Sequence, residues 1–390
     1  MDFSVEEVMK YIEEEDVKFI RLAFRDAFGV QKNISVMPGE IPKAFEEGIP
    51  INARNIAGFE DCPFASLFLK PEPETMAILP WRPDSGRVLR MFCDVFNPDG
   101  EGYASDTRRI LKEAARKAQE KGIEFRFGSE MEFYLFNKDE AGNPTRIPYD
   151  NAGYMDIAPL DRCENMRREI SLTIERMGLI PERSHHERGP GQNEIDFHHA
   201  KPLKAADQLT TFKMVVSTLA DRYGLVSDFS PMPLAGQPGN GYHINIYAAD
   251  KSGRDMALFA AAGIMEKIRD ITIFLNPTDA SYSRLGSSMA PDKVNWSSEG
   301  ESELMYIEEH RGRTRAELRS PDASSNPYLV FALLIHAGLI GIEGERGLPG
   351  EMENGAAFLP GSRKEAGKIA WTSDFVRSIV PDGILKAYIA

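Results

Sequence analysis

Residues 185–195 read HHERGPGQNEI, with two carboxylates, Glu187 and Glu194, set on either side of a Gly-Pro-Gly turn. The stretch does not stand alone. Glu130 and Glu132 lie in GSEMEFYLF (128–136), His243 in GNGYHINIY (239–247) and Glu317 in RTRAELRSPD (313–322). Five carboxylates and one imidazole are a donor set suited to two hard divalent cations such as Mg2+ or Mn2+. Taken singly, a Glu-x-Glu pair is usually an exposed strand edge and a lone histidine a satisfied polar residue. The six together point to a metal-centred enzyme.

Side chains two apart on a strand share a face. Glu130 therefore points with Glu132, Gly241 with His243, Asn245 and Tyr247, and Arg315 with Glu317 and Arg319. The last set alternates cation, anion, cation, so a metal-competent carboxylate is flanked by guanidiniums able to hold an anionic substrate bidentately. His185, His198, His199, His310 and His336 have no evident partner in the sequence and read as surface or core residues. His186 reads as outside any shell supporting Glu187.

Working outward, periodicity predicts a helix over 4–14, a strand over 17–30 running into an Asp-Ala-Phe-Gly turn, and short strands at 32–36, 76–79 and 88–96. Asp106 can cap a helix over 107–121. A boundary near residue 102 then separates a small mixed domain (1–102) from a larger one (103–390). In the larger domain, strands at 123–136, NEIDFH, YHINIY and TRAELR alternate with helices at 160–178, 204–223, 255–274 and from Pro327 onward. Every ligand candidate falls on a strand or at a strand's mouth, so one sheet presents a face to the site and helices lie behind it.

Composition narrows the class. At 390 residues with net charge −14, the chain lacks the basic balance that nucleic-acid and membrane-surface binders use. Its three cysteines are odd in number and without CxxC spacing, the first residues carry acids where a signal peptide carries bases, and no apolar run reaches a bilayer span. These features predict a cytoplasmic protein that binds neither nucleic acid nor membrane.

In this order along the chain the motifs resemble the glutamine synthetase family. The resemblance runs from about residue 17 onward and includes the Asp26–Gly29 turn, GSEMEFYLF, HHE followed by GQNE, GNGYH, SYSRL (281–285) and RTRAELRSPDASSNPYL (313–329). It implies an α+β fold, with a small N-terminal β-grasp-like domain and a large α/β catalytic domain, assembled as a homo-oligomeric ring with active sites between subunits. Because the chain ends with WTSDFVRSIVPDGILKAYIA (371–390), where relatives run on, a single ring is expected rather than a stacked pair. By match, one cation falls to Glu132, Glu187 and Glu194, and the other to Glu130, His243 and Glu317. Arg284 and Arg319, with Gly239, fall to the amino-acid substrate, and Arg315 to nucleotide phosphate. The activity implied is ATP-driven amide formation at the γ-carboxylate of glutamate.

The chain also departs from the pattern. After Trp296-Ser297 the family brings two phosphate-facing arginines; here the sequence is SSEGESELMYIEE, with Glu301 and Tyr306 in their place. At roughly 6 Å and an effective dielectric near 20, one cation is worth about 3 kcal/mol to a phosphate charge, so an anion there swings about twice that. Met232 replaces a lysine, Asn245 and Tyr247 a histidine and a serine beside the nucleotide, Met289 the flap glutamate that takes a proton from ammonium, and Asn52 an aspartate that helps bind ammonium in the neighbouring subunit. The loop proline Pro238 also differs from a residue that contacts the amino acid.

The metal and carboxylate half is thus intact and the ATP-phosphate and ammonium half is altered. Three functions stay open from the sequence: a ligase joining a γ-carboxylate to an amine other than ammonia with ATP; an ATP-independent metal enzyme such as a γ-glutamyl amide hydrolase, with Tyr306 or Glu301 as acid or base; and a non-catalytic regulatory or scaffold oligomer.

Overall fold

The computed structural model describes residues 4–287, 289–300, 302–350 and 354–390. Its contacts divide into two compact units, one running to Ile110 and including Val380–Tyr388, the other covering Leu111–Ile379.

The first unit begins with α1 (Val5–Glu14), which starts where Ser4 and Glu7 cap each other's backbone N–H reciprocally. Val8 and Ile12, one turn apart, are its buried face. There follow β1 (Val17–Arg25), β2 (Gln31–Val36), α2 (Ile41–Glu46), β3 (Ile49–Asn52), β4 (Ser66–Pro71), β5 (Ala77–Ile78) and β6 (Arg87–Phe96). The sheet runs β2-β1-β6-β4-β3, with β5 added to β6; β1 and β6 are parallel and the other pairs antiparallel. Between β1 and β2, Asp26 Oδ1 accepts from the N–H groups of Phe28 and Val30, which makes the turn anticipated at 26–29. Asn52, at the end of β3, is exposed and its side chain accepts from Arg54 N–H at 3.1 Å.

The second unit holds most of α3 (Thr107–Glu120), whose start Asp106 caps by accepting from Arg108 N–H at 3.0 Å. The chain continues through β7 (Ile123–Lys138), β8 (Pro144–Pro148), α4 (Glu164–Arg176), β9 (Pro181–His186), β10 (Gln192–Ala200), α5 (Pro202–Arg222), β11 (Leu225–Asp228), β12 (Tyr242–Asp250), α6 (Ala257–Leu275) and α7 (Asp279–Arg284). Then come β13 (Trp296–Ser297), β14 (Met305–His310), β15 (Arg313–Leu318), α8 (Pro327–Glu343), α9 (Arg363–Thr372) and α10 (Asp374–Arg377). The sheet order is β13-β14-β15-β12-β7-β10-β9, with β8 and β11 also on β7. The sixteen-residue β7 is long enough to serve four partners, and Phe127, Phe133 and Phe136 along it are buried.

Behind the sheet, α8 begins at the Asn326 cap with Pro327 in its first turn and is apolar around most of its circumference, which suits a helix with protein on every side. It packs on α6 backbone to backbone. A Cβ at Gly341 would sit 1.9 Å from the Phe259 carbonyl oxygen, and one at Gly263 2.2 Å from that of Ala337.

The sequence places the boundary near residue 102 with the whole C-terminus in the larger domain; by contacts the compact units divide at Ile110, and the last helix, α11 (Asp382–Ile389), goes largely with the first. The reason is local: the Tyr388 ring lies 5.1 Å from that of Phe28, and its hydroxyl donates to the Ala27 carbonyl. Sequence periodicity also passed over β9 and β14. Both carry charged runs, PERSHH and MYIEEH, that leave β9 without a buried apolar residue and β14 with only Met305 and Ile307 in the core.

Candidate active site

Strand register gathers the candidates. Across β7 and β10, Glu132 stands opposite Glu194 and Glu130 opposite Asp196; across β7 and β12, His243 stands opposite Glu130; across β15, Glu317 is opposite Asn245 on one side and Tyr306 on the other. Glu187 follows β9, where the turn 188–191 returns the chain to β10. These side chains line one cavity of about 330 Å3 together with Arg284, Arg315, Arg319, Gly239 and Tyr306, so eleven of the twelve sequence-predicted site residues meet there. Glu301 lies outside the described residues.

Glu130, His243 and Glu317 offer ligand atoms within 4.8 Å of one another. His243 Nδ1 is 3.5 Å from Glu130 and 3.4 Å from Glu317. Burial, with the charges of Arg319 and Arg284, pushes this imidazole down to about 4, so it is neutral and ligand-competent at pH 7. Burial opposes ionisation of Glu130, yet hydrogen bonds from His243 and Asn245 and the Arg315 charge hold its carboxyl at about 2. Glu317, pushed up to about 7 by burial and by Glu130, is gripped by Arg319 and lies 3.4 Å from Arg315.

On the other side of the cavity, His185, Glu187 and Glu194 form another group of converging ligand atoms, with His185 at 3.5 Å from Glu187 and 3.7 Å from Glu194; a further group, Asp150, Asp161 and His186, lies outside the cavity lining. Glu132 lines the same cavity, but its Oε2 accepts from Gln192 Nε2 at 2.8 Å and from Gly241 N–H at 2.9 Å. Burial and the Glu187 charge push Glu132 up to about 7. Glu194 is raised well above the usual carboxylate range by burial, then by Asp196, Glu132, Glu130 and Glu187. Hard oxygen and nitrogen donors crowded until they retain protons fit divalent cations, whose charge would replace those protons.

Two histidine readings are corrected. His185 is a cavity residue. His186 is fully buried, its Nε2 2.9 Å from Asp150 Oδ1 and its Nδ1 2.6 Å from the carbonyl oxygen of Glu187, so it braces the backbone of a ligand candidate. The signal lay in adjacency: on a strand, His185 must face opposite to His186, and one of them had to share the site face. Arg183 and Arg188 in the cavity wall were missed because neither β9 nor its alternation was recognised.

The substrate arginines differ in their freedom. Arg284 is 2% exposed and donates to the backbone carbonyls of Ser320 at 2.9 Å and Arg319 at 3.3 Å, so part of its hydrogen bonding fixes the wall itself. Gly239 contributes its carbonyl to Gln192, and a Cβ at Gly241 would fall 2.8 Å from His243 Nε2. Among the departures, Met289 lines the cavity in a left-handed backbone conformation (φ 65°), which costs a side-chain-bearing residue energy and is held where a site needs it. Tyr247 packs against His199 with tilted rings whose centroids are 4.6 Å apart, and Asn245 donates to Glu130 at 3.0 Å. Met232 is half-buried next to Gly239.

The pattern described as glutamine synthetase, catalytic domain, matches residues 104–373, and that described as glutamine synthetase, beta-Grasp domain, matches 16–98. The chain belongs to the glutamine synthetase family. It is 37% identical to the glutamine synthetase of Clostridium saccharobutylicum over 415 residues, covering all of this chain and 94% of that one. It is 38% identical to that of Methanosarcina mazei over 413 residues, covering 98% and 92%. A solved structure of apo GmaS without ligand superposes with a TM-score of 0.87 at 25% identity, covering 98% of this chain and 93% of that one. A GmaS/ADP complex superposes at 0.88 with 24% identity, covering 100% and 94%. The α+β fold with its β-grasp and catalytic parts is the glutamine synthetase fold, and the chain is a carboxylate–amine ligase of that family. Of the three functions open from the sequence, the ligase is the one its relatives carry.

Proposed function

We propose that this ligase joins the γ-carboxylate of glutamate, or of a related acid, to an organic amine in preference to ammonia, using ATP and two divalent cations, Mg2+ or Mn2+. The observation that carries the amine preference is Met289 in the cavity wall, with Tyr154 and Met155 lining the same space. An apolar thioether where relatives place a carboxylate removes the charge suited to NH4+ and offers surface to a carbon chain.

Glu130, His243 and Glu317 would hold one cation and Glu132, Glu187 and Glu194, with His185 beside them, the other. When bound, the cations would offset the negative charge that develops on the transferred phosphoryl group. Arg319 and Arg284 orient the acid, and Arg315 faces nucleotide phosphate. A γ-carboxylate oxygen attacks the γ-phosphorus of ATP and ADP leaves; the amine nitrogen then attacks the acyl carbon, inorganic phosphate leaves, and the amine proton passes to a cavity carboxylate. Tyr306, opposite Glu317 in register, presents a hydroxyl where relatives present a guanidinium.

A ring of subunits in the cytoplasm completes the reading. Ile147, Tyr154, Met155, Ile157 and Leu160 expose large apolar side chains within fourteen residues, a patch that suits contact with another copy. Cys62, Cys93 and Cys163 are buried and unpaired, and no described helix is long and apolar enough to cross a membrane.

The test is ATP-dependent phosphate release with glutamate and a panel of primary amines against ammonium. Turnover with at least one organic amine should exceed that with ammonium by about tenfold or more in kcat/KM, a difference of about 1.4 kcal/mol. Met289→Glu should move the preference toward ammonium. Equal or better use of ammonium by the unaltered protein would return it to ordinary glutamine synthesis.

A further inference from the structure

The cavity holds an arginine that no motif announced. Arg183 projects from β9 with its side chain 59% exposed. Its Nε donates to the buried carboxylate of Asp196, and its Nη2 lies 3.7 Å from Glu130 Oε1. That same oxygen accepts from Arg315 Nη1 at 3.3 Å. In the sheet order β15-β12-β7-β10-β9, the two guanidiniums come from strands equally far to either side of β7 and converge on one carboxylate oxygen of it. Arg315 is the residue that matches a nucleotide-phosphate arginine, while Tyr306 stands where another would be.

We infer that Arg183 is a second phosphate-facing cation of this active site, delivered from β9 in place of the arginines missing from the segment before β14. The inference rests on the ATP-driven reading above. Asp196 is the positioning residue: buried, opposite Glu130 in register, it fixes Nε and leaves the two Nη groups as a fork of the kind that recognises phosphate oxygens. Glu130 holds both guanidiniums at the place where its oxygen would otherwise meet a cation. An incoming polyphosphate with its cation supplies Glu130 with a new partner and each arginine with an anion.

The simpler role for Arg183 would be to neutralise Asp196, and one experiment separates the two. Binding of ATP and of AMP, in the presence of Mg2+, is measured by calorimetry for the unaltered protein, Arg183→Gln, Arg183→Gln with Asp196→Asn, and Arg183→Gln with Tyr306→Arg, each checked for folding by its melting curve. We expect ATP binding to weaken roughly 10- to 100-fold in Arg183→Gln with AMP little changed. It should stay weak when Asp196→Asn removes the orphaned charge, and recover in part when Tyr306→Arg restores a guanidinium from β14. Unchanged ATP affinity in Arg183→Gln, or full recovery with Asp196→Asn, would overturn the assignment and leave the ATP reading standing. Absence of ATP binding by the unaltered protein would overturn the ATP reading and this inference with it.

Discussion

The two carboxylate groups of the cavity have different neighbours. Around Glu130, His243 and Glu317 the partners are guanidiniums: Arg315 touches both carboxylates, Arg319 grips Glu317, and Arg183 approaches Glu130. Around Glu132, Glu187 and Glu194 the contacting partners are the Gln192 amide, the N–H groups of Gly241 and Arg188, and the His185 ring, with the charges of Arg284 and Arg319 acting on Glu132 from farther off. The consequence shows in the protons. Glu130 is held at about 2 while Glu317 beside it rises to about 7; in the other group burial and mutual repulsion raise Glu132 to about 7 and Glu194 well above its ordinary range. In the first group the guanidiniums offset Glu130 but not all of the crowding at Glu317, while in the second both Glu132 and Glu194 store electrostatic strain that a cation or protons relieve. Folding and catalysis thus make contrary demands on the second group.

That contrast is most sharply broken at Glu194. Glu194→Gln should lower kcat by about 10³-fold, because a lost cation leaves the phosphoryl charge uncompensated. The same change should make the metal-free protein more stable at pH 7, by on the order of 1 to 3 kcal/mol, since folding no longer forces a proton onto a buried carboxyl. Steady-state phosphate release and thermal melting in a chelator read the two effects. A loss of stability would mean that Glu194 is satisfied without a cation.

The next effect is in pH. Glu132 and Glu317, at about 7 when folded against an ordinary carboxyl near 4.3, bind more protons in the folded than in the unfolded state between those values. Their contribution is fully present below the unfolded pKa and is lost as pH rises through about 7. Glu130 runs the other way: depressed to about 2, it stabilises above the unfolded pKa and loses that stabilisation only as pH falls through 2. Metal-free stability should therefore fall between pH 5 and pH 8, by up to about 3 kcal/mol for each of the two raised groups, and the melting temperature with it. Added Mg2+ or Mn2+ should stabilise increasingly over the same interval, because binding displaces those protons. Melting curves at pH 5, 6, 7 and 8 with and without cation check both signs, and a flat metal-free profile would show that the carboxylates are not crowded.

The sequence made the sheet legible where chemistry and pattern coincide. GSEMEFYLF, YHINIY and TRAELR each alternate apolar core residues with site residues, so the period that identifies the strand also identifies the ligand face. It hid β9 and β14, because PERSHH has no buried apolar residue and MYIEEH only Met305 and Ile307, which leaves little apolar signal. Arg183, His185 and Glu308 were lost with those strands. The regrouping of Glu187 and Glu194 with His185 was invisible for another reason: which carboxylates converge depends on the path of the turn after β9, where residue spacing says nothing of distance. The placement of α11 with the first unit, likewise, rests on Tyr388 meeting Phe28 some 360 positions earlier in the chain.

The smallest effect probes how the second group is built. Asp150 receives the Gly191 N–H at 2.9 Å and stands 2.9 Å from His186 Nε2, while His186 Nδ1 reaches the Glu187 carbonyl oxygen. Both oxygens that meet the ring, the Glu187 carbonyl and the Asp150 carboxylate, are acceptors, and against burial they raise the imidazole above the ordinary histidine value. The turn that carries Glu187 and returns to Glu194 is thereby tied to one buried carboxylate behind the site, with no side-chain tie to the first group. His186→Gln keeps one donor and cannot span both acceptors in the same way. Cation affinity should drop by about 10- to 100-fold at the tighter-perturbed of two sites and stay within about twofold at the other, as expected when an outer partner of a ligand is lost. Mn2+ titration by electron paramagnetic resonance resolves the two classes. Equal weakening of both would show that the groups act as one electrostatic unit and that the division between them has no functional meaning. Selective weakening would place the weak joint of the active site at the turn 188–191, where His186 and Asp150 fix the backbone that carries Glu187.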